Sequence, residues 1–430
     1  MYSKLLKEAF KEERIMYALK HAKEKKLNPK LIRRFCDPSY RGYVASLIAT
    51  DSYNMAYPTE RDIPKDDKPG QFRTVFMNEP PDRIVMSLLA DTVSDIFKDM
   101  IHPSCRSYQK GMGTQQTVCE ISKCIEDMDL VGHETIGVKT DFSKYFDSVL
   151  LEKIEEMFDK WEARLGFEKD TEPVINMFRR YYKQNEYWDK NGNLRSKYQS
   201  LKQGCALAAP LANMLLYDLD EYMSNKYSVY YRYSDDIMCL GGDVDEIVND
   251  INRITSKYGV TLNPKKVEPV YADQWVKFLG FNIKQGYRTL SSPRVVKFKN
   301  KIKKLTVNQK NITMKKATRN VMHYLYGGEH CWADSCLATI NVEEDIRQLN
   351  LFVLDCIKAC GTNKKRIGGI GSTLDKKDYT IVRGKGRNVS SNKEKKKEEN
   401  IENYLSMICL WNALRQSESL YKSLLLQVGM

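Results

Sequence analysis

Long apolar runs are missing from this chain. None of its 430 residues fall in a stretch of 18 apolar positions, so no membrane-spanning helix is expected. The amino-terminal MYSKLLKEAFKEER is charged and helix-forming, without the apolar core of a secretory leader, and a cytoplasmic chain is expected. The 11 cysteines lack the regular spacing of a disulfide framework, which suits reduced thiols in a cytosol. His323, His330, Cys331, Cys336, Cys356 and Cys360 come nearest to a metal cluster. Their HCx4C…Cx3C spacing matches no finger or ribbon, and on predicted helices these thiols read as buried apolar side chains. The glycines of 361-GTNKKRIGGIGS-372 do not follow a strand, so they read as a flexible linker and not as a phosphate loop. There is no internal repeat.

What is present is a globular composition, with 42% hydrophobic and 10% aromatic residues, and a length suited to two or three domains of about 150 residues each. The net charge of +13 is unevenly spread. Residues 1–290 hold 43 charges of each sign, whereas residues 291–430 hold 26 basic and 13 acidic ones. A basic excess confined to one part of a chain is an electrostatic footprint for a phosphate backbone. The run 391-SNKEKKKEEN-400 also suits a solvated tail, but 294-RVVKFKNKIKK-304 interleaves apolar residues as a docked amphipathic helix does.

Apolar spacing predicts helices within 1–35, 82–100, 118–128, 151–165, 171–183, 204–224 and 244–257, and a mostly helical region from Ser291 to about Ala359. Loops and short strands are expected over 51–81, a strand from 135 ending at Asp141, and strands at 267–271 and 276–283. Asn191-Gly192 marks a tight turn, and an apolar helical tail is expected over 401–428. The order suits an α+β core with a helical appendage.

Within 230-YYRYSDDIMCL-240, two apolar, aromatic-rich runs flank Asp235 and Asp236, which are expected in the turn of a buried hairpin. Adjacent carboxylates repel unless a proton or cation lies between them. A strand-end Asp141 facing such a turn would hold two divalent cations about 4 Å apart, and an oxygen-rich site suits Mg²⁺. Taken alone, the pair also suits a polar turn.

The series 141-DFSKYFD-147, 203-QGCALAAPLAN-213, 232-RYSDD-236, 261-TLNPKK-266 and 278-FLGF-281 resembles the ordered motifs of reverse transcriptases. Upstream, 73-RTVFMNEPPDRIV-85 and 107-SYQKGMGT-114 resemble the fingers motifs of the bacterial branch, which includes group II intron enzymes and retrons. The resemblance spans about residues 60–305. It implies a right-hand polymerase fold with fingers, a palm of small antiparallel sheet and helices, and a helical thumb. The implied boundaries are a helical extension over 1–45, fingers over 46–130 and palm over 131–290 with a helical insertion near 151–200. A basic thumb over 291–360 and a linker and helical tail over 361–430 complete the chain.

The resemblance implies metal binding at Asp141, Phe142, Asp235 and Asp236, with two Mg²⁺ ions and Mn²⁺ as a substitute. Lys266 matches a lysine near the leaving pyrophosphate, and Arg73 a residue contacting the triphosphate. Phe146 matches the aromatic platform that disfavours a 2′-hydroxyl, and Gln203 and Gly204 match a pair near nucleotide and template. Phe278, Leu279 and Gly280 match the primer grip. Two departures stand out: Ala208-Ala209 replaces the usual Ser-Pro, and Ser234 the usual alanine.

No CxxC-bearing endonuclease tail, RNase H signature or retron Val-Thr-Gly element is visible, and 283-IKQGYRTLSSPRVVKFKNKIKKL-305 resembles the start of an intron-type thumb. The chain is therefore most similar to stand-alone, defence-associated reverse transcriptases. That resemblance implies a structured non-coding RNA as template, a DNA primer or cDNA product, dNTPs, no membrane, and a homo-oligomer or accessory protein. Two other readings remain: a template-independent or protein-primed polymerase of the same fold, and a non-catalytic, maturase-like RNA-binding protein.

Overall fold

Alternating apolar residues in 135-TIGVKTD-141 place Ile136 and Val138 in the core of a four-stranded sheet. The computed structural model describes residues 3–24, 26–64, 70–109, 111–128, 135–196, 200–328, 331–360, 404–417, 421 and 422. They cluster into two compact units, Met1–Gly113 with Thr135–Val270, and Thr114–Glu134 with Tyr271–Met430.

The first unit carries β1 (Thr59–Pro64), β2 (Phe72–Met77), β3 (Thr135–Asp141), β4 (Glu186–Trp188), β5 (Leu194–Ser196), β6 (Val229–Tyr233), β7 (Asp236–Leu240) and β8 (Glu268–Tyr271). One sheet has the order β6-β7-β3-β8, and the other β2-β1-β4-β5. In the first sheet β7 is central, and its Ile237, Met238, Cys239 and Leu240 are fully buried. A near-continuous apolar run of this kind marks a strand covered on both faces. Gly137 faces Cys239 so closely that a Cβ would overlap the Cys239 carbonyl, and its φ of +149° suits glycine. Helices Leu151–Leu165 and Pro173–Lys183 supply an aromatic layer, in which Phe158 meets Trp161, Phe178 and Tyr182 at centroid distances of 5.4, 6.1 and 5.8 Å.

The second unit contains β9 (Val276–Phe278), β10 (Phe281–Lys284) and β11 (Tyr287–Leu290), against which helix Thr114–Asp127 packs. Helices Ser292–Leu305, Met314–Tyr326, Glu343–Ala359 and Met407–Gln416 build its helical part around Phe298, Trp332, Phe352 and Trp411. Trp411 Nε1 donates to the Ile340 carbonyl at 2.8 Å, so its one polar atom is satisfied in the interior. Cys331, Cys336, Cys356 and Cys360 are buried, and burial raises each of the Cys331, Cys336 and Cys360 thiol pKa values, that of Cys360 to about 12.

Four expectations change. The 204–224 helix is two helices, Ala208–Leu215 and Tyr217–Lys226, because Gly204 takes a φ of +112° and Leu216 leaves helical geometry. The 276–283 strand is a hairpin, with Leu279 and Gly280 both at positive φ, the backbone of a two-residue turn. The segment expected as a helical insertion near 151–200 also holds the β4–β5 hairpin around Asn191-Gly192. Asp189 there accepts from the main-chain N–H groups of Asn191 and Asn193. Asp236 belongs to β7, so the turn proper is Ser234-Asp235. The 361–400 linker and its charge run, His330, and 401–403, 418–420 and 423–428 of the tail lie outside the described residues.

Candidate active site

The pairing of β3 with β7 sets Asp141 directly opposite Asp236, and the β6–β7 hairpin pairs Tyr233 with Asp236 across the Ser234-Asp235 turn. Three carboxylates thus gather at one end of a buried sheet, two of them on directly paired residues. The Phe142 main-chain N–H donates to the Asp235 carbonyl at 3.1 Å, and Asn263 N–H to the Asp141 carbonyl at 2.9 Å. Asn263 also caps a short 3-10 turn, Pro264–Lys266, from which the Lys266 ammonium reaches Asp141 Oδ2.

The electrostatics follow from that crowding. Burial raises the Asp235 pKa; Asp141 raises it further, while Lys266 and Arg73 pull it down. Asp236 is pushed up to about 7 by burial and then by the charges of Asp235 and Asp141. Burial opposes the Lys266 charge, but its bond to Asp141 and the nearby Asp236 and Asp235 keep the ammonium pKa above the ordinary lysine value.

Asp141 Oδ1 is buried and has no hydrogen-bond partner among the described residues. A bare anionic oxygen is costly in the interior, and a cation is the partner that would satisfy it together with the adjoining carboxylates. The all-oxygen donor set fits a hard divalent ion. Among the described residues no three His, Cys, Asp or Glu groups are drawn into a closed ligand shell, so the carboxylates are neighbours, not a cage. Phe142 has a buried ring and could offer only its main-chain carbonyl.

The other expected site residues lie on several elements, and of these Arg73 is tied to the cluster by its charge. Arg73 is exposed on β2, close enough to lower the Asp235 pKa. Phe146 is half-buried against Tyr145 at a 5.6 Å centroid distance, and its carbonyl accepts from Leu201 N–H and Ser200 Oγ. Gln203 accepts from Phe76 N–H at 2.9 Å through its carbonyl, and a Cβ on Gly204 would lie 2.8 Å from the Phe76 carbonyl oxygen. The close approach at this glycine is therefore to β2 itself. Phe278, Leu279 and Gly280 form the β9–β10 turn of the second unit, where a Cβ on Gly280 would meet Arg294 Nε at 2.8 Å. A cavity of about 410 Å³ in the first unit, lined in part by Lys153, Lys160, Arg164 and Lys257, contains none of these residues.

The family model described as reverse transcriptase (RNA-dependent DNA polymerase) matches residues 63–283, just over half of the chain. The chain belongs to this reverse transcriptase family. It is an α+β protein of the right-hand polymerase class. Among solved structures it is similar to an insertion-loop deletion mutant of the RNA-dependent RNA polymerase of a human picobirnavirus. That match has 14% identity and a TM-score of 0.39 over 56% of this chain and 48% of that one. Apo telomerase from Candida tropicalis matches at 13% identity and 0.39, over 70% and 56%. Telomerase from Candida albicans in complex with a TWJ fragment of telomeric RNA matches at 13% and 0.36, over 75% and 67%. The chain spans about half the length of the first two. No curated protein matches it. No described helix is long and apolar enough to cross a membrane.

Sequence reasoning missed the polar residues beneath the hairpin, Ser107, Asn213 and Asp220. They lie far apart along the chain, and only the fold joins them.

Proposed function

We propose that the chain copies an RNA template into DNA by two-metal nucleotidyl transfer, with Asp141 and Asp235 binding metal and Asp236 supporting them. The observation that carries this reading is the β3–β7 register, which sets Asp141 opposite Asp236 and leaves Asp141 Oδ1 bare. Asp141, Asp235, Asp236 and the Phe142 carbonyl would hold two Mg²⁺ ions, or Mn²⁺ in their place. When bound, these activate a primer 3′-hydroxyl and offset charge on the leaving pyrophosphate.

The chain's own residues do the rest. The Lys266 ammonium, held at Asp141, is placed to give a proton to the leaving pyrophosphate oxygen. Arg73 offers a fork of donors to the triphosphate. The half-buried Phe146 ring forms the floor under the sugar and disfavours a 2′-hydroxyl. Gln203 and Gly204 shape the nucleotide side of the pocket through their hold on β2. The first unit supplies palm and most of the fingers. The second supplies the primer grip at Phe278, Leu279 and Gly280 and a basic thumb whose duplex affinity falls with salt.

In its cellular setting, the chain acts in the cytoplasm with a structured non-coding RNA and dNTPs, alone, as a homo-oligomer or with an accessory protein, and its cDNA serves antiphage defence. That layer is supported by the intron-type run 283–305, and sequencing cDNA from phage-challenged cells that carry the locus tests it. Absence of RNA-dependent cDNA would remove it. A second reading, template-independent synthesis, is favoured by Ala208-Ala209 in place of Ser-Pro. Primer extension with RNA, DNA or no template, each with dNTPs or NTPs, separates the two. RNA-templated dNTP incorporation is expected; equal incorporation without template would favour the second, and no synthesis would leave an RNA-binding protein.

A further inference from the structure

The Ser234-Asp235 turn is unusual in its backbone. Ser234 has a φ of +60°, in the left-handed region that two-residue hairpin turns normally fill with glycine or asparagine. A strained non-glycine turn persists where its surroundings over-determine it. Here both polar atoms of the Ser234 main chain are gripped by buried side chains. Its N–H donates to Ser107 Oγ at 2.9 Å, and its carbonyl accepts from Arg232 Nη1 at 3.2 Å.

Each gripping residue is in turn locked. Ser107 Oγ donates to Asn213 Oδ1 at 2.8 Å, and Asn213 Nδ2 returns a bond to the Ser107 carbonyl at 2.7 Å. Arg232 gives Nε and Nη2 to the two oxygens of Asp220 at 2.7 and 2.6 Å, and Nη2 also reaches the Asn213 carbonyl at 3.0 Å. Tyr230 donates to Asp220 Oδ1 at 2.9 Å. Ser107, Asn213, Asp220 and Arg232 are all fully buried. A buried ion pair is weak evidence of a need for stability, since apolar residues of the same shape often do as well. What apolar residues could not do is hold the amide and carbonyl of one turn residue from two directions.

We infer that Ser107, Asn213, Asp220 and Arg232 are positioning residues that fix the Ser234-Asp235 turn, and with it the Asp235 carboxylate, for metal binding. The inference rests on the role proposed above for Asp235. Placement errors of about 1 Å at a reacting centre cost about 100-fold in rate, so loosening this turn acts on catalysis before it acts on the fold.

Ser107→Ala removes the acceptor for the Ser234 N–H and nothing from the carboxylates. Thr92→Val is the control, because Thr92 is equally buried and its hydroxyl, among the described residues, bonds only the Leu88 carbonyl. Four quantities are read on the full chain: thermal unfolding, Mn²⁺ binding by electron paramagnetic resonance, hydrogen exchange over 229–240, and steady-state primer extension. For Ser107→Ala we expect kcat lower by about 10- to 100-fold with the dNTP KM within about twofold. We also expect Mn²⁺ affinity to be lower by about tenfold, with faster exchange across the turn. Thr92→Val should show only the change in unfolding. If Ser107→Ala fails to fold, Ser107→Cys, with a weak sulfur acceptor, is read in the same way. Wild-type Mn²⁺ affinity and exchange in the Ser107 variant would overturn the inference. A wild-type chain that polymerises nothing, with Mn²⁺ binding still weakened by Ser107→Ala, would overturn the proposed function and leave the positioning role standing.

Discussion

Two aspartates of the first unit each face a cation, and the fold treats them in opposite ways. Asp220 is fully buried, and Arg232 and Tyr230 between them claim both of its oxygens. Asp141 is nearly as buried at 4% exposure, yet its cation is a lysine whose side chain is 52% exposed, and Oδ1 is left bare. A charge that serves the architecture is closed off by its donors. A charge meant to meet a ligand is left open on one side, among like charges that already strain against ionisation.

Breaking the closed pair should have the largest effect. Asp220→Asn leaves the Arg232 guanidinium buried without its counter-charge, and a loss of about 3–5 kcal/mol is expected in urea unfolding. Breaking the open pair should act on chemistry instead. Lys266→Gln is expected to lower kcat about 100-fold if Lys266 is the proton donor, while stability moves by less than about 1 kcal/mol because the lysine is half exposed.

The crowding itself can be titrated. The Asp236 pKa, about 7 in the fold, lies above its ordinary 3.8, so the unfolded chain loses that proton first as pH rises. The group therefore costs nothing below about pH 4 and destabilises increasingly up to pH 7. Asp236→Asn should gain about 1–2 kcal/mol at pH 8 and almost nothing at pH 4, as urea midpoints at the two pH values would show. The smallest effect is expected at Ser234, whose hydroxyl is buried with no partner among the described residues. Ser234→Ala should be neutral or stabilising by up to about 1 kcal/mol, read as a thermal shift.

Much of this contrast was legible along the chain, for physical reasons. The end of β3 at Asp141 and the hairpin around Asp235 are local events, set by alternating apolar residues and a polar interruption. The Phe278–Phe281 turn escaped the apolar pattern, because Leu279-Gly280 sits inside an apolar run; the likeness to a primer-grip hairpin pointed to it, and both residues have positive φ. The network under Asp235 was invisible for a different reason. Ser107 and Ser234 are 127 residues apart and Ser107 and Asn213 are 106 apart; each lies within a quoted motif, but no local pattern says that they bond one another. Asp220 resembled any polar position on a predicted helix, although it lies on the second of the two helices that replace it and pairs with the buried Arg232.

The central claim is that Asp235 carries metal-dependent synthesis and is not needed for the fold. Single-turnover extension of a DNA primer on an RNA template, compared between the wild-type chain and Asp235→Ala of matched folded fraction, tests it most directly. The account predicts Mg²⁺-dependent dNTP incorporation by the wild type and a loss of at least about 1,000-fold in the variant, with thermal unfolding unchanged or slightly raised. Synthesis by Asp235→Ala at a rate near that of the wild type would contradict it.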